Sequence, residues 1–196
     1  MKQIEITTRV MEPLDTVIQK LQNQGFQIIR KSRVEDEYLT MQKDQIKKEN
    51  ILQILSTCVL LRYLNANGKI MKKITYKHKI YQNDIVMTEE KINVDCGDLE
   101  SAKKLFNALN FQVLVKVSYD VIVLSNHKME LAFQNVENLG LLLEYENERD
   151  FSEESEEKII NEKKHMLNEI KQLNILITDE FDVKKAYELI NNEMGE

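Results

Sequence analysis

Glycine is scarce in this chain of 196 residues, and its five glycines are dispersed rather than clustered. A Walker A loop or a dinucleotide-binding fingerprint needs several glycines within a few positions, because the backbone must approach the phosphates closely. Both kinds of nucleotide-binding motif are therefore excluded. Any phosphate group would have to be held by side chains.

Cysteine and histidine are also rare. Cys58 and Cys96 show no C-x-x-C spacing and follow no secretion signal, so we expect free thiols in a reducing compartment rather than a disulfide or a zinc site. His78, His127 and His165 have no metal-ligand spacing with one another or with the cysteines. These three histidines are interpreted as structural.

Long hydrophobic runs and an excess of positive charge are missing as well. No segment reaches the roughly 18 uninterrupted apolar residues of a membrane span, and "MKQIEITTRV" at the start alternates charged with apolar residues, unlike a signal peptide. The net charge of -6 argues against a general nucleic-acid or anionic-membrane partner. The basic run "GKIMKKITYKHK" could contact RNA, but alternating lysines on one strand explain it more simply. We expect a soluble cytoplasmic protein.

Alternation of apolar and polar residues predicts a chain built mainly of strands. The predicted strands are Lys2–Val10, Phe26–Met41, Thr57–Asn65, Lys69–Lys79, Ile85–Asp95, the segment "NFQVLVKV" from Asn110, Lys128–Gln134 and Leu139–Glu148. The predicted helices are Pro13–Gln24, a short one over Gln45–Ser56, Asp98–Leu109, Ser152–Leu173 and Asp179–Asn192. Asn67-Gly68 is a strong signal for a hairpin turn.

Nearly every predicted strand has one apolar face and one face with ionisable groups. In "LGLLLEYENE", for example, Glu144 and Glu146 lie opposite Leu141, Leu143 and Tyr145. A sheet with one face in water would explain any single strand. About eight strands and four or more helices can instead close into a barrel with the charged faces inside. We therefore predict a single α+β domain spanning 1–196: a closed or nearly closed eight-stranded antiparallel β-barrel with helices packed outside, including the C-terminal helices over 152–192.

A charged barrel interior must be wet and internally paired, because burying an isolated charge costs several kcal/mol. Lysines and arginines on opposite walls suit a polyphosphate, whose oxygens accept several charge-assisted hydrogen bonds. Carboxylates at alternate positions of a strand suit Mg²⁺ or Mn²⁺. Together these groups predict a site for a metal-triphosphate complex.

Motifs along almost the whole chain resemble those of the CYTH superfamily, the triphosphate tunnel metalloenzymes that include class IV adenylyl cyclases, thiamine triphosphatases and inorganic tripolyphosphatases. The matching segments, in chain order, are "IEITTR" for E-x-E-x-K, "DEYL" from Asp36, "VLLRY" for L-R-x-R, "ITYKHK" for the lysine strand, "NVENLGLLLEYE" for D-x-V-x-x-L-G-x-F-x-E-x-E and "AYELI" for S-Y-x-E-L-L. Their order and spacing are more specific than any one of them.

The resemblance implies roles for particular residues of this chain. Glu5, Glu144 and Glu146 fall at the family's metal-binding positions. The residues implied at phosphate-binding or tunnel-wall positions are Arg9, Arg62, Lys77, Lys116 and Glu90, with Glu89 as the alternative if the register slips by one; Lys73 is added because it faces the same way as Lys77. Glu144, Glu146 and Lys77 are the candidate catalytic residues.

Several family positions are substituted. Thr7, Leu64, Thr88, Ser118 and Gln134 stand where the family has a glutamate, three arginines and an aspartate, respectively. Fewer carboxylates weaken divalent-cation binding, and fewer arginines weaken the grip on phosphate oxygens.

Two functions follow as hypotheses. The first is a metal-dependent enzyme that hydrolyses a triphosphate or cyclises a nucleotide; the second is a domain that binds polyphosphate or nucleotide without turnover. Either would act on a small-molecule ligand with Mg²⁺ or Mn²⁺, and both a monomer and a homodimer are compatible with the sequence.

Overall fold

The computed structural model describes residues 2–195. Those residues form eight strands: β1 (Ile4–Arg9), β2 (Gln27–Thr40), β3 (Val59–Ala66), β4 (Lys69–Gln82), β5 (Ile85–Asp95), β6 (Gln112–Ser125), β7 (Glu130–Val136) and β8 (Gly140–Asn147). They also form five α-helices: α1 (Leu14–Gln22), α2 (Ile51–Leu55), α3 (Leu99–Ala108), α4 (Glu156–Gln172) and α5 (Lys185–Glu193). No helix within 2–195 has both the length and the apolar character needed to cross a membrane.

All eight strands join one antiparallel sheet in the order β1-β8-β7-β6-β2-β3-β4-β5. The two end strands, β1 and β5, meet where Gln3 and Glu89 exchange two backbone hydrogen bonds of 3.2 and 3.0 Å. The sheet is therefore a nearly closed barrel, which confirms the predicted fold class.

The chain after α4 fills the rest of the seam between β1 and β5. Thr7 in β1 donates its backbone N–H to Phe181, and Val183 donates its own to Thr7, at 3.0 and 2.9 Å. On the other side, the backbone N–H of Val86 in β5 donates to the Asp182 carboxylate at 3.0 Å. This C-terminal segment thus bridges the two end strands of the barrel.

Strand alternation gives the barrel two differently packed faces. On the outer face, α1 and α4 pack against β1, β7 and β8 in a cluster that includes Val17, Met166, Ile6, Phe133 and Leu143. Helix α3 covers another part of the outer face, where Ala102 contacts the cluster of Leu39 and Leu61. These contacts bury the apolar stripes of α1 and α4. In α3 only Ala102 is buried, and Leu105 and the C-cap residue Leu109 remain exposed.

The inner face carries its own apolar cluster at one end. There α2 and α5 contribute Ile51, Ala186 and Ile190, which pack with Val117 and Leu142 from the barrel wall. Helix α5 therefore lies against the inner face, whereas the sequence predicted that the whole of 152–192 would pack outside. The rest of the inner face is polar and lines a cavity.

Local signals explain most element boundaries. Asn67 and Gly68 both have positive φ, +52° and +84°, as the predicted hairpin turn requires. The Asp98 carboxylate accepts from the backbone N–H of Glu100 at 3.1 Å and so caps α3.

Two predicted helices are shorter than expected. Over 45–56 only Ile51–Leu55 is α-helical, and its Ile51, Ile54 and Leu55 are buried. Two 3-10 turns, Lys43–Gln45 and Lys48–Asn50, precede it. The last helix begins at Lys185 rather than Asp179, because residues 175–183 are extended and bond to β1 instead.

Candidate functional site

The polar part of the inner face encloses a cavity of about 280 Å³. Its charged lining residues are Glu5, Glu144, Glu146, Arg30, Arg62, Lys77, Lys79, Lys91, Lys184 and Lys185. Lysines and arginines thus outnumber carboxylates in the lining. The excess of positive charge suits a polyanionic ligand.

One wall of the cavity is acidic. Glu5 in β1 and Glu146 in β8 are direct partners in the antiparallel ladder, and Glu144 is two residues from Glu146 on the same face of β8. One carboxylate oxygen from each of the three residues lies within 4.8 Å of the others. Alternation on two adjacent strands therefore produces a compact set of hard oxygen donors.

The adjoining wall is basic and comes from β4 and β5. Lys77, Lys79 and Lys91 surround the carboxylate of Glu89, with nitrogen–oxygen distances of 3.5, 3.0 and 3.0 Å. Glu89 is buried, with 3% of its surface exposed. Glu89 is the carboxylate that these three ammonium groups share, while Lys79 and Lys91 also lie 3.9 and 3.3 Å from carboxylate oxygens of Glu5.

Arg62 on β3 is held at the cavity by a buried acid. Its Nε and one terminal nitrogen donate to the two oxygens of Asp36 at 2.7 and 2.6 Å. The Asp36 side chain is 2% exposed, so this bidentate pair is removed from water and fixes the guanidinium plane. Arg62 also lines the cavity, and the terminal nitrogen that contacts Asp36 lies 3.4 Å from the Tyr119 hydroxyl as well.

Lys185, at the first turn of α5, enters the cavity from the C-terminal end of the chain. Its Nζ donates to Gln134 Oε1 at 2.5 Å and to Glu144 Oε2 at 3.1 Å, and it lies 4.8 Å from the centre of the Tyr119 ring. One of the acidic-wall carboxylates is thus paired with a lysine from the helix that closes this end of the cavity.

The opposed charges favour the ionised form of two buried carboxylates, Glu5 and Glu89. Burial disfavours the charged form of Glu5, but the nearby lysines, with Lys91 the largest contributor, hold the pKa of Glu5 well below its ordinary value. Burial acts in the same way on Glu89, where Lys77 and Lys79 reverse it and lower the pKa to about 2. Burial dominates at Lys77 and lowers its pKa.

Five of the sequence-predicted site residues meet in this cavity: Glu5, Glu144, Glu146, Arg62 and Lys77. In β5 the alternative residue, Glu89, is the one that faces inward, where it contacts Lys79. Glu90 faces outward beside His78. The cavity therefore contains the acidic set and part of the basic set that the motifs indicated.

Four predicted residues lie away from the cavity. Lys116 is on the outer face of β6, where it pairs with Glu37 at 2.8 Å and is 67% exposed. The reason is that the inner face of β6 is apolar, with Val117 packed into the cluster beneath α5. Arg9 pairs with Glu188 of α5, and Lys73 faces inward farther along β4; neither lines the cavity, and Glu90 does not either.

Sequence reasoning did not select Lys79, Lys91 and Lys185 as site residues. Lys79 shares the face of Lys77, so periodicity alone could have added it. Lys91 is two residues after Glu89, so it faces inward once Glu89 does. Lys185 precedes "AYELI" directly, but its position depends on how the C-terminal segment packs, for which the sequence carries no local signal.

No protein-family model matches the chain. A curated protein from Methanocaldococcus jannaschii, named as a putative adenylate cyclase, is 27% identical over 189 residues, which are 95% of this chain and 97% of that protein. Among solved structures, the PH1819 protein from Pyrococcus horikoshii OT3 superposes with a TM-score of 0.72 at 20% identity, covering 97% of this chain and 99% of that one.

A second similar structure is that of HpAC1 from Hippeastrum, named as a putative adenylyl cyclase with a dominant triphosphatase activity. Its TM-score is 0.61 at 11% identity, covering 98% of this chain and 96% of that one. Both structural matches extend over the whole barrel and its helices. These matches cover almost the whole chain and show that it shares the fold of the PH1819 and HpAC1 proteins, in agreement with the resemblance that the motifs indicated.

Proposed function

We propose that this protein binds a triphosphate-containing small molecule in the cavity, together with Mg²⁺ or Mn²⁺, and hydrolyses it. The observation that carries the proposal is that three clustered carboxylates line the same cavity as Lys77, Lys79 and Arg62. A triphosphate needs both kinds of group, since its oxygens bind cations of the protein while a divalent ion bridges them to carboxylates.

The donors of the acidic wall fit a divalent metal ion. Glu5, Glu144 and Glu146 offer oxygen atoms within 4.8 Å of one another, and hard cations of this kind take carboxylate oxygens and keep several waters. We therefore assign these three residues to hold the ion. When bound, the metal would neutralise charge on the phosphate oxygens and orient the attacking oxygen.

The remaining side chains bind and position the phosphates. Lys77 and Lys79 present ammonium groups from one strand, and Arg62 presents a guanidinium fixed by Asp36. Electrostatic stabilisation of the transferring phosphoryl group by such preorganised cations is the main catalytic contribution expected of a protein in this reaction. We assign Lys77 to this role among the catalytic residues.

The triphosphatase activity of the Hippeastrum protein supports hydrolysis, and the adenylate cyclase name of the archaeal relative supports cyclisation of a nucleotide in the same site. The two reactions differ in the nucleophile, which is water in the first and a ribose hydroxyl in the second. The proposal favours hydrolysis because a small cavity lined largely by charged groups fits the phosphate chain itself.

Binding without turnover is the second candidate. It is favoured by one observation: Gln134, at a family carboxylate position, is paired with Lys185, and the same lysine contacts Glu144. A metal ion there would have one carboxylate fewer than the family pattern provides.

A turnover assay separates these functions. Phosphate release should be measured with tripolyphosphate, thiamine triphosphate and ATP in the presence of Mg²⁺ or Mn²⁺, beside an assay for cyclic AMP from ATP. Metal-dependent phosphate release supports the proposal, and cyclic AMP formation supports cyclisation. If no substrate turns over but one raises the melting temperature, the binding function is correct.

A further inference from the structure

Each carboxylate of the acidic wall already contacts an ammonium group of the same chain. The Nζ of Lys91 donates to Glu146 at 2.6 Å and lies 3.3 Å from a carboxylate oxygen of Glu5. The Nζ of Lys185 donates to Glu144 at 3.1 Å. All three carboxylates to which we assign the metal are therefore paired with ammonium groups of the same chain.

A lysine ammonium group and a divalent ion cannot occupy the same position beside the carboxylate oxygens of the acidic wall. Lys91 bridges Glu5 and Glu146, which is the place a metal ion shared by those two residues would need. Mg²⁺ bonds to oxygen at about 2.0–2.1 Å, so the ammonium and the ion would lie within a few ångströms and repel each other strongly. Metal binding therefore requires the Lys91 ammonium group to move away from Glu5, from Glu146 or from both.

Other acceptors make this displacement possible. Lys91 also lies 3.0 Å from Glu89, and Lys185 also donates to Gln134 at 2.5 Å. Lysine side chains are long and flexible, so each ammonium can keep one partner while it releases a carboxylate of the acidic wall. The released ammonium groups would remain in the cavity, within reach of phosphate oxygens.

We propose that Lys91 and Lys185 are internal counter-cations that compete with the divalent metal ion for Glu5, Glu144 and Glu146. The inference rests on the metal site of the proposed function and adds the residues that set its affinity. It implies that this cavity binds a free metal ion weakly for a site with three carboxylates.

Lys77 supplies a matched control for the test. It lies in the same cavity and carries the same charge, but its carboxylate contact is with Glu89, 3.5 Å away, and not with the acidic wall. Replacing Lys77 by methionine therefore changes the overall cavity charge without freeing a proposed metal ligand. The comparison between Lys91→Met and Lys77→Met separates direct competition from a general electrostatic effect.

The experiment measures Mn²⁺ binding by isothermal titration calorimetry to the wild-type protein, Lys91→Met and Lys77→Met, without any phosphate ligand. We expect Lys91→Met to bind Mn²⁺ about tenfold more tightly than Lys77→Met, because close charge pairs couple by at least that factor. Equal changes in the two variants, or no Mn²⁺ binding by any of them, would overturn the inference. Circular dichroism should verify that each variant is folded.

Lys185→Met provides an independent variant if Lys91→Met does not fold. It frees Glu144 rather than Glu5 and Glu146, and it should also bind Mn²⁺ more tightly than Lys77→Met does. Tripolyphosphate binding, titrated separately in the presence of EDTA, reports on the phosphate site alone. Failure of that titration would count against the proposed function, whereas the manganese comparison would still decide the role of the two lysines.

Discussion

Lys77 and Lys91 are direct partners in the ladder between β4 and β5, and the buried carboxylate of Glu89 lies within 3.5 Å of both ammonium groups. Like charges directly opposite each other in a sheet are destabilising. Glu89 is the group that makes this arrangement tolerable, and it also contacts Lys79 at 3.0 Å. Glu89 is therefore the one carboxylate that all three lysines of the basic wall share.

Replacing this acid should destabilise the protein. We predict that Glu89→Gln lowers the free energy of unfolding by about 3 kcal/mol, because it removes the buried carboxylate that three partly buried ammonium groups share. Urea denaturation at pH 7 measures the change. Glu90→Gln is the control, since Glu90 is the neighbouring residue on the exposed side of β5 and should change stability by only about 0.5 kcal/mol. Similar losses in both variants would show that Glu89 has no special role.

Most of the acidic wall could be predicted from the sequence, and the physical reason is the strict alternation of side chains in strands. Glu144 and Glu146 must share a face of β8, and Glu5 reaches them because β1 and β8 are adjacent in the barrel. The predicted barrel and its eight strands follow from the same periodicity.

The register of β5 could not be predicted because the strand is irregular. The pairing of β4 with β5 shifts between Ile80 and Tyr81, where Thr88 and Val86 are their partners and Met87 is the extra residue. Such a bulge resets which residues face inward. Glu89 and Glu90 are adjacent and chemically alike, so the sequence does not distinguish them.

Lys116 was wrongly expected inside for a different reason. Alternation divides β6 into a polar and an apolar face but does not say which one the barrel encloses. The apolar face is inside because α5 packs against it. That packing depends on the C-terminal segment beside β1, a contact between the two ends of the chain.

Lys77 lines the cavity and Lys116 lies on the outer face, so the two lysines should differ in their effect on ligand binding. Lys77→Gln should weaken tripolyphosphate binding at least about tenfold, because it removes a charge-assisted hydrogen bond inside the cavity. Lys116→Gln should leave the affinity unchanged, since Lys116 is on the outer face. Titration calorimetry of both variants measures the two effects. A larger loss for Lys116→Gln would place the phosphate site elsewhere.

Stability should also rise between pH 8 and pH 10 because of Lys163. This residue of α4 is fully buried and donates to the backbone carbonyl of Glu5 at 2.8 Å. Burial lowers its pKa to about 8, although Asp182 and Glu5 oppose the shift. Above pH 8 the folded state loses this proton while the unfolded chain, with a lysine pKa of about 10.4, retains it. The unfolded state then binds more protons, so the free energy of unfolding increases with pH.

The difference between wild type and Lys163→Met isolates this contribution from other titrating groups. We predict that the wild type gains about 2 kcal/mol relative to the variant between pH 8 and pH 10. Lysines whose pKa is raised, such as Lys91 and Lys185, lose their stabilising effect only above about pH 10.4 and so fall outside this window. Denaturant unfolding at several pH values measures the difference, and parallel curves for the two proteins would contradict the low pKa.

The acidic wall makes a final prediction about metal dependence. Glu144→Gln combined with Glu146→Gln should abolish the effect of Mg²⁺ or Mn²⁺ on ligand binding and on any turnover, because only Glu5 of the proposed ligands remains. Glu148→Gln is the control: it follows Glu146 by two residues but lies exposed beyond the end of β8. Metal titrations of ligand binding should be compared for the two proteins. If the double variant keeps its metal dependence, the ion binds elsewhere, whereas loss of dependence in the Glu148→Gln control would indicate a nonspecific effect of surface charge.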